Sequence, residues 1–165
     1  MIALLVSRDD IVKFTAINGN TDTDKFIQFV KIAQDTHIQN YLGTKLFEKI
    51  NSGIVNDSLV EPYLSLLNTY IKPMVIHWSM VEYLPFSAYT IANKGVYKHS
   101  AENAEVVDKE EVDFLVEKQR SIAEHYTRRF IDYICFNQST YPEYNANKNS
   151  DMHPDGKADF SGWYL

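Results

Sequence analysis

The sequence predicts an all-α fold, a compact bundle of about four to five helices with a long C-terminal helix, a short extended N-terminal segment and an extended C-terminal tail. Three observations carry that expectation. Apolar residues recur at three- and four-residue steps through most of the chain, the spacing that puts them on one side of a helix. A length of 165 residues with 45% apolar composition suffices to fill one core, and two independent domains are not expected. The single cysteine, Cys135, excludes an internal disulfide framework.

Met1 to Val6 and Ile11 to Ile17 are short aliphatic and β-branched stretches, read as extended or partly helical pieces that end at Asn18-Gly19-Asn20. Thr21-Asp22-Thr23-Asp24 then offers N-cap oxygens and negative charge where a helix start exposes unpaired N–H groups. Phe26, Phe29, Val30, Ala33, His37 and Tyr41 follow on one face, so a single amphipathic helix is expected up to Gly43, placed to end it in a left-handed conformation. Leu46, Phe47 and Ile50 continue into a second helix closing at Asn51-Ser52-Gly53.

Pro62 suits a helix start, and Tyr63, Leu66, Leu67, Tyr70, Met74, Trp78 and Val81 line one side of the helix behind it. Pro73 inside that pattern lacks an N–H and clashes with the carbonyl four residues back, which predicts a kink between Asn68 and Lys72. Pro85 predicts a second bend. Residues 76 to 92 are apolar nearly all round and read as a helix covered on several sides, the centre of the core. Residues 95 to 108 have no period and read as a loop. From Lys109 to Asn137, Val112, Leu115, Ile122, Tyr126, Phe130 and Tyr133 mark one face of a helix about 40 Å long, interrupted by polar Gln119. The helical domain is therefore expected over residues 1–137, with an extended arm over 138–165 whose polar stretch ends in Phe160-Ser161-Gly162-Trp163-Tyr164-Leu165. The arm is expected to be mobile in a free subunit.

Charge and motifs exclude several function classes. Sixteen Lys and Arg against 22 Asp and Glu leave a net charge of −6, unsuited to holding a phosphate backbone over the whole surface. Met1 to Val6 has no basic leader and is too short for a signal segment, so a chain that starts and stays in a cytoplasm-like, reducing compartment is expected, with no membrane partner. His37, His77, His99, His125 and His153 lack the three- or four-residue spacing of zinc ligands. Asp151-Met152-His153-Pro154-Asp155-Gly156 lacks the grammar of a calcium loop. Cys135, between Ile134 and Phe136, reads as an inert core thiol. Six scattered glycines form no phosphate-cradling loop, and no Gly-x-Ser-x-Gly elbow occurs. No catalytic set, cofactor or metal is expected.

Two features remain. Between Glu102 and Glu117 seven acids (Glu102, Glu105, Asp108, Glu110, Glu111, Asp113, Glu117) stand against Lys109 alone, which places a charge equal to that of the whole molecule on one segment. It reads as a solvated helix start favoured by the helix dipole, or as an electrostatic surface that holds a basic partner or repels passing DNA. Half of the 22 aromatic residues are tyrosines, suited to surfaces that become buried on association.

The order of several short stretches is also informative. Ser7-Arg8-Asp9-Asp10-Ile11-Val12-Lys13-Phe14-Thr15, Gly19-Asn20-Thr21-Asp22-Thr23-Asp24, Ile32-Ala33-Gln34 and Ile38-Gln39-Asn40-Tyr41-Leu42-Gly43-Thr44-Lys45-Leu46-Phe47 come first. Tyr70-Ile71-Lys72-Pro73 with His77-Trp78, Asn93-Lys94-Gly95-Val96, Asn137 and Tyr141-Pro142-Glu143-Tyr144 follow. Together they resemble small head-tail connector proteins of tailed bacteriophages, most of all those of phages infecting Bacteroidetes, including the crAss-like group. The resemblance spans about residues 7 to 144. It implies a non-enzymatic helical adaptor whose copies form a ring, twelve-fold in this class, in the virion neck between portal and tail, assembled in the host cytoplasm. The implied partners are sister copies, the portal protein, other neck or tail proteins, and DNA in non-specific passage. On that reading Tyr141, Tyr144, Phe160, Trp163, Tyr164 and Leu165 are the expected interface residues. Glu102, Glu105, Asp108, Glu110, Glu111 and Asp113 form the expected DNA-repelling or partner surface. A non-viral helical binding module that uses the same acids to hold a basic partner is the alternative.

Overall fold

A computed structural model describes residues 2–17, 23–87, 89–92, 95–98, 108–146 and 151–157. The elements are α1 (Arg8–Phe14), α2 (Thr23–Ala33), α3 (Gln39–Leu42), α4 (Thr44–Val55), α5 (Tyr63–Leu66), α6 (Lys72–Tyr83), β1 (Tyr89–Ala92), β2 (Gly95–Lys98), α7 (Lys109–Phe136) and α8 (Pro142–Asn145). The chain is mainly helical and carries the expected long helix near its C-terminal end. No helix among the described residues is long and apolar enough to cross a membrane.

The start of α1 has a local cause. At α1 the Ser7 side chain accepts from the Asp10 N–H at 3.2 Å while the Asp10 carboxylate accepts from the Ser7 N–H at 3.0 Å, a reciprocal cap. Residues 11 to 14, expected to be extended or partly helical, thus lie in a full helix, with Ile11 buried. Gly43 has φ 73°, which favours glycine, and separates α3 from α4. The second helix runs past its expected end at Gly53 to Val55.

The single helix expected from Phe26 to Tyr41 instead carries a π-helical turn at Gln34–Ile38, where the Gln39 N–H reaches back five residues to the Gln34 carbonyl. A second π turn, Leu67–Ile71, occupies the place of the kink expected before Pro73. The Lys72 N–H bonds to the Leu67 carbonyl across it. Widening this turn leaves Pro73 near the start of α6, where its missing N–H costs little. Pro85 sits in a 3₁₀ turn, Leu84–Phe86, as its bend predicted.

The largest departure follows that turn. Residues 76–92 do not continue as one buried helix: α6 stops at Tyr83, and β1 pairs antiparallel with β2, with Ala92 opposite Gly95 and Tyr89 opposite Lys98. Pro85 cannot supply the backbone bond a continuing helix needs, and Tyr89-Thr90-Ile91 has strand-forming side chains. Part of the segment expected as a loop over 95–108 is therefore β2.

The core lies where α6 meets α2 and α7. Met74, Val75, Trp78 and Val81 of α6 are buried with Val30 and Ala33 of α2 and with Ala123, Phe130 and Ile134 of α7. Phe26 and Phe29 close one end by edge contacts on Tyr83, with ring centroids 5.0 and 5.5 Å away. Buried polar groups are paired: Trp78 Nε1 donates to Thr127 Oγ1 at 3.0 Å, and Thr127 donates to the Ala123 carbonyl at 2.8 Å. The N-terminal segment is held by the fully buried Gln34, whose amide accepts from the Leu5 N–H at 2.7 Å and donates to the Ala3 carbonyl at 3.1 Å.

Candidate functional site

Two expected interface residues are core residues of their own subunit. After α7 the chain turns through Gln138–Thr140 into α8, and this brings Tyr141 and Tyr144 inward until they are 0% and 5% exposed. Tyr141 packs edge-on against Tyr63 at 5.5 Å, and its hydroxyl lies 3.0 Å from that of Tyr133. Tyr133 in turn stacks on Tyr70 at 4.1 Å, with the Arg129 guanidinium over the Tyr70 ring at 5.4 Å. Tyr63 donates to Glu143 at 2.5 Å; burial first, then that carboxylate, pushes its pKa up to about 12. A polar-looking sequence thus contributes two large aromatic rings to the core.

The described part of the arm continues along the body. Met152 and Thr44 exchange two hydrogen bonds: the Thr44 N–H donates to the Met152 carbonyl at 3.1 Å and the Met152 N–H to Thr44 Oγ1 at 2.9 Å. The Asp155 N–H adds a bond to the Asn40 carbonyl at 2.9 Å. The expected anchors Phe160, Trp163, Tyr164 and Leu165 lie outside the described residues.

The acidic segment divides in a similar way. Glu102 and Glu105 lie outside the described residues, whereas Asp108, Glu110, Glu111, Asp113 and Glu117 are all exposed. Asp108 and Glu111 form a second reciprocal cap, with N···O distances of 3.0 and 3.2 Å, so two of the acids hold the start of α7. Glu117 meets Arg120 at 3.3 Å on the exposed surface. Among the described residues, Glu110 and Asp113 have no such partner on the same turns. Ala123 is the first buried residue of α7, so about four turns of helix precede it with only exposed or half-buried side chains. Phe114 is 70% and Leu115 44% exposed there.

A hollow of about 420 Å³ opens between α1, α6 and α7, a place the sequence did not single out. Phe14, Pro73, Ile76 and Tyr126 give it apolar walls. Lys72 pairs with Asp10 at 3.4 Å. Burial tends to raise the Asp10 pKa, but hydrogen bonds from Ser7 and the charge of Lys72 outweigh it and hold the carboxyl below its ordinary value. His77 lies parallel to Tyr126 at 5.2 Å, with Nδ1 3.1 Å from Gln119 Oε1. Burial lowers its pKa despite that bond, so the imidazole is neutral near pH 7. With Asp10 and Lys72 offsetting each other, Lys13 at the rim leaves the hollow with positive charge on an otherwise acidic chain. Gln119, a polar break in an apolar stripe, was the one signal of this site in the sequence.

Cys135 is exposed, contrary to its core assignment, because α7 turns its Ile131 and Ile134 face inward and leaves positions 135 and 136 facing water. Among the described residues no three His, Cys, Asp or Glu side chains are grouped so that they could hold a metal ion. The arrangement offers docking surfaces: an apolar hollow with a positive rim and an exposed acidic half-helix bearing an aromatic ring.

A family model described as a family of unknown function (DUF6712) matches residues 38–153, from the end of the first π turn to the residue after Met152. No curated protein and no solved structure matches the chain.

Proposed function

The chain belongs to the DUF6712 family of unknown function, and we propose that it is a structural protein of the bacteriophage virion neck, a non-enzymatic adaptor that assembles into a ring between portal and tail. The observation that carries this reading is the first half of α7, which presents Phe114 and Leu115 to solvent beside Asp108, Glu110, Glu111 and Asp113. An apolar surface of this kind gains by being covered by another chain. Carboxylates turned toward a channel repel DNA phosphates, so a genome slides past without adhering. The resemblance to head-tail connectors over about residues 7 to 144 contains most of the family match.

In the ring, twelve copies pack side by side, and Phe160, Trp163, Tyr164 and Leu165 anchor the end of the arm on a sister copy or a stacked partner. The chain is assembled in the host cytoplasm and resides in the virion, with the portal and other neck or tail proteins as its neighbours. The acidic half-helix also favours a second reading, a non-viral module that holds a basic partner.

Light scattering separates the two. The full chain, alone and mixed with purified portal protein, is expected to give a particle of roughly twelve subunits or a stable complex with the portal. A species that stays at 19.1 kDa and ignores the portal would remove the ring reading.

A further inference from the structure

We propose that the hollow between α1, α6 and α7 is the acceptor for the exposed half of α7 from a second copy of this chain, with Phe114 entering the hollow and Asp113 beside Lys13. The inference rests on the ring reading only in that copies must associate; it supplies the contact through which they do so.

Charge complementarity selects this occupant. Phe14, Pro73, Ile76 and Tyr126 give the hollow apolar walls, Asn68 adds an uncharged amide, the internal pair Asp10–Lys72 is balanced, and the exposed Lys13 is left with its charge uncompensated. The first turns of α7 have the opposite character, a ring that is 70% exposed between carboxylates on both sides in sequence. The Phe114 ring occupies part of a recess of about 420 Å³, against Phe14, Pro73, Ile76 and Tyr126, and Asp113 next to it meets a lysine across the rim. Phe14, 55% exposed on the hollow wall, is covered by the same contact.

The contact cannot be made within one subunit. Phe114 and Tyr126 are twelve residues apart on a continuous helix. That places the ring about 18 Å along the axis from the hollow and about a third of a turn around it. Donor and acceptor are therefore different surfaces of the same molecule, so copies add head to tail, and such a contact closes into a ring when its rotation permits.

The test uses the full chain in a Cys135→Ser background, where no native thiol competes. Copies carrying Lys13→Cys are mixed with copies carrying Asp113→Cys under mild oxidation, in the presence of portal protein if the chain assembles only there. The expected product is a disulfide-linked pair with one of each, formed at least tenfold faster than either variant forms with itself. In the unmodified background Lys13→Glu is expected to weaken assembly at least tenfold, and Asp113→Lys added to the same chain to restore it. Both positions are exposed, and an unchanged thermal midpoint shows that the fold is intact. Assembled particles without the mixed cross-link and indifferent to Lys13→Glu overturn this contact and leave the ring reading standing. A chain that remains monomeric with and without portal overturns both. A predominant link of Lys13→Cys to itself shows a symmetric pair and also overturns the head-to-tail contact.

Discussion

His37 lies flat on Trp78, with ring centroids 4.0 Å apart and planes 10° from parallel, and its Nε2 is 2.8 Å from Glu82 Oε1. The contact joins the first π turn to α6. In a regular helix side chains recur every 3.6 residues, whereas a π turn inserts an extra residue and rotates everything beyond it. That rotation sets His37 over the indole, whose own N–H is bound to Thr127 of α7. Three helical segments thus meet at one aromatic ring.

Thr127→Val keeps the side-chain shape and removes the acceptor of the buried Trp78 N–H. An unpaired buried donor costs about 1–3 kcal/mol. Urea unfolding is expected to show a loss in that range with unchanged slope, and a variant as stable as the parent would refute the pairing.

Gln34→Leu tests the N-terminal segment separately from the rest. The Leu5 N–H loses its acceptor and the Ala3 carbonyl loses a donor. Amide exchange at Leu5 should accelerate strongly, with a global cost of roughly 1–3 kcal/mol. Unaltered protection at Leu5 would mean that Gln34 does not hold this segment.

Acidification should act in two windows. The folded pKa of His77 lies below its ordinary 6.5, so the unfolded chain takes up the proton first. Stability is whole above about pH 6.5 and falls as pH drops from there toward the folded pKa. Asp10 also has a depressed folded pKa, so its contribution, present above 3.8, is lost as pH falls below that value. Denaturation midpoints for the parent and His77→Gln should converge at low pH relative to neutral pH. A His77 imidazole that titrates by NMR at or above 6.5 contradicts the buried geometry.

Cys135 should react in the native protein. Its exposure predicts one equivalent of thiol labelled by an aromatic disulfide reagent without denaturant, at a rate similar to that of an unfolded peptide. Labelling that awaits unfolding would return this residue to the core.

Helical periodicity made the main body legible in advance. The faces of α2, α4 and α6, the bend at Pro85 and the disturbance before Pro73 all follow from side-chain spacing and from what proline cannot do, both properties of the local chain. The length of α7 was legible but its face was not: of the expected stripe Val112, Leu115, Ile122, Tyr126, Phe130 and Tyr133 only Phe130 is buried, and the helix turns Ala123, Thr127, Ile131 and Ile134 inward instead. The acidic start of α7 was legible for the same reason, though not the reciprocal caps that employ two of its carboxylates. What lies between elements was not. The burial of Tyr141 and Tyr144 needs the turn after α7 to point back at Tyr63, and an aromatic residue in a polar stretch carries no record of that direction. Cys135 and Phe136 look apolar in sequence but face water because Ile131 and Ile134 hold the helix rotation. The hollow gathers Lys13, Lys72, His77 and Tyr126 from three helices, so its charge and shape arise only when those helices pack. Sequence alone determined which faces of α2, α4 and α6 must be buried, because that is decided within a few turns of backbone. Tertiary structure decided which residues meet, because a contact between distant positions depends on the rotation and direction of every element between them.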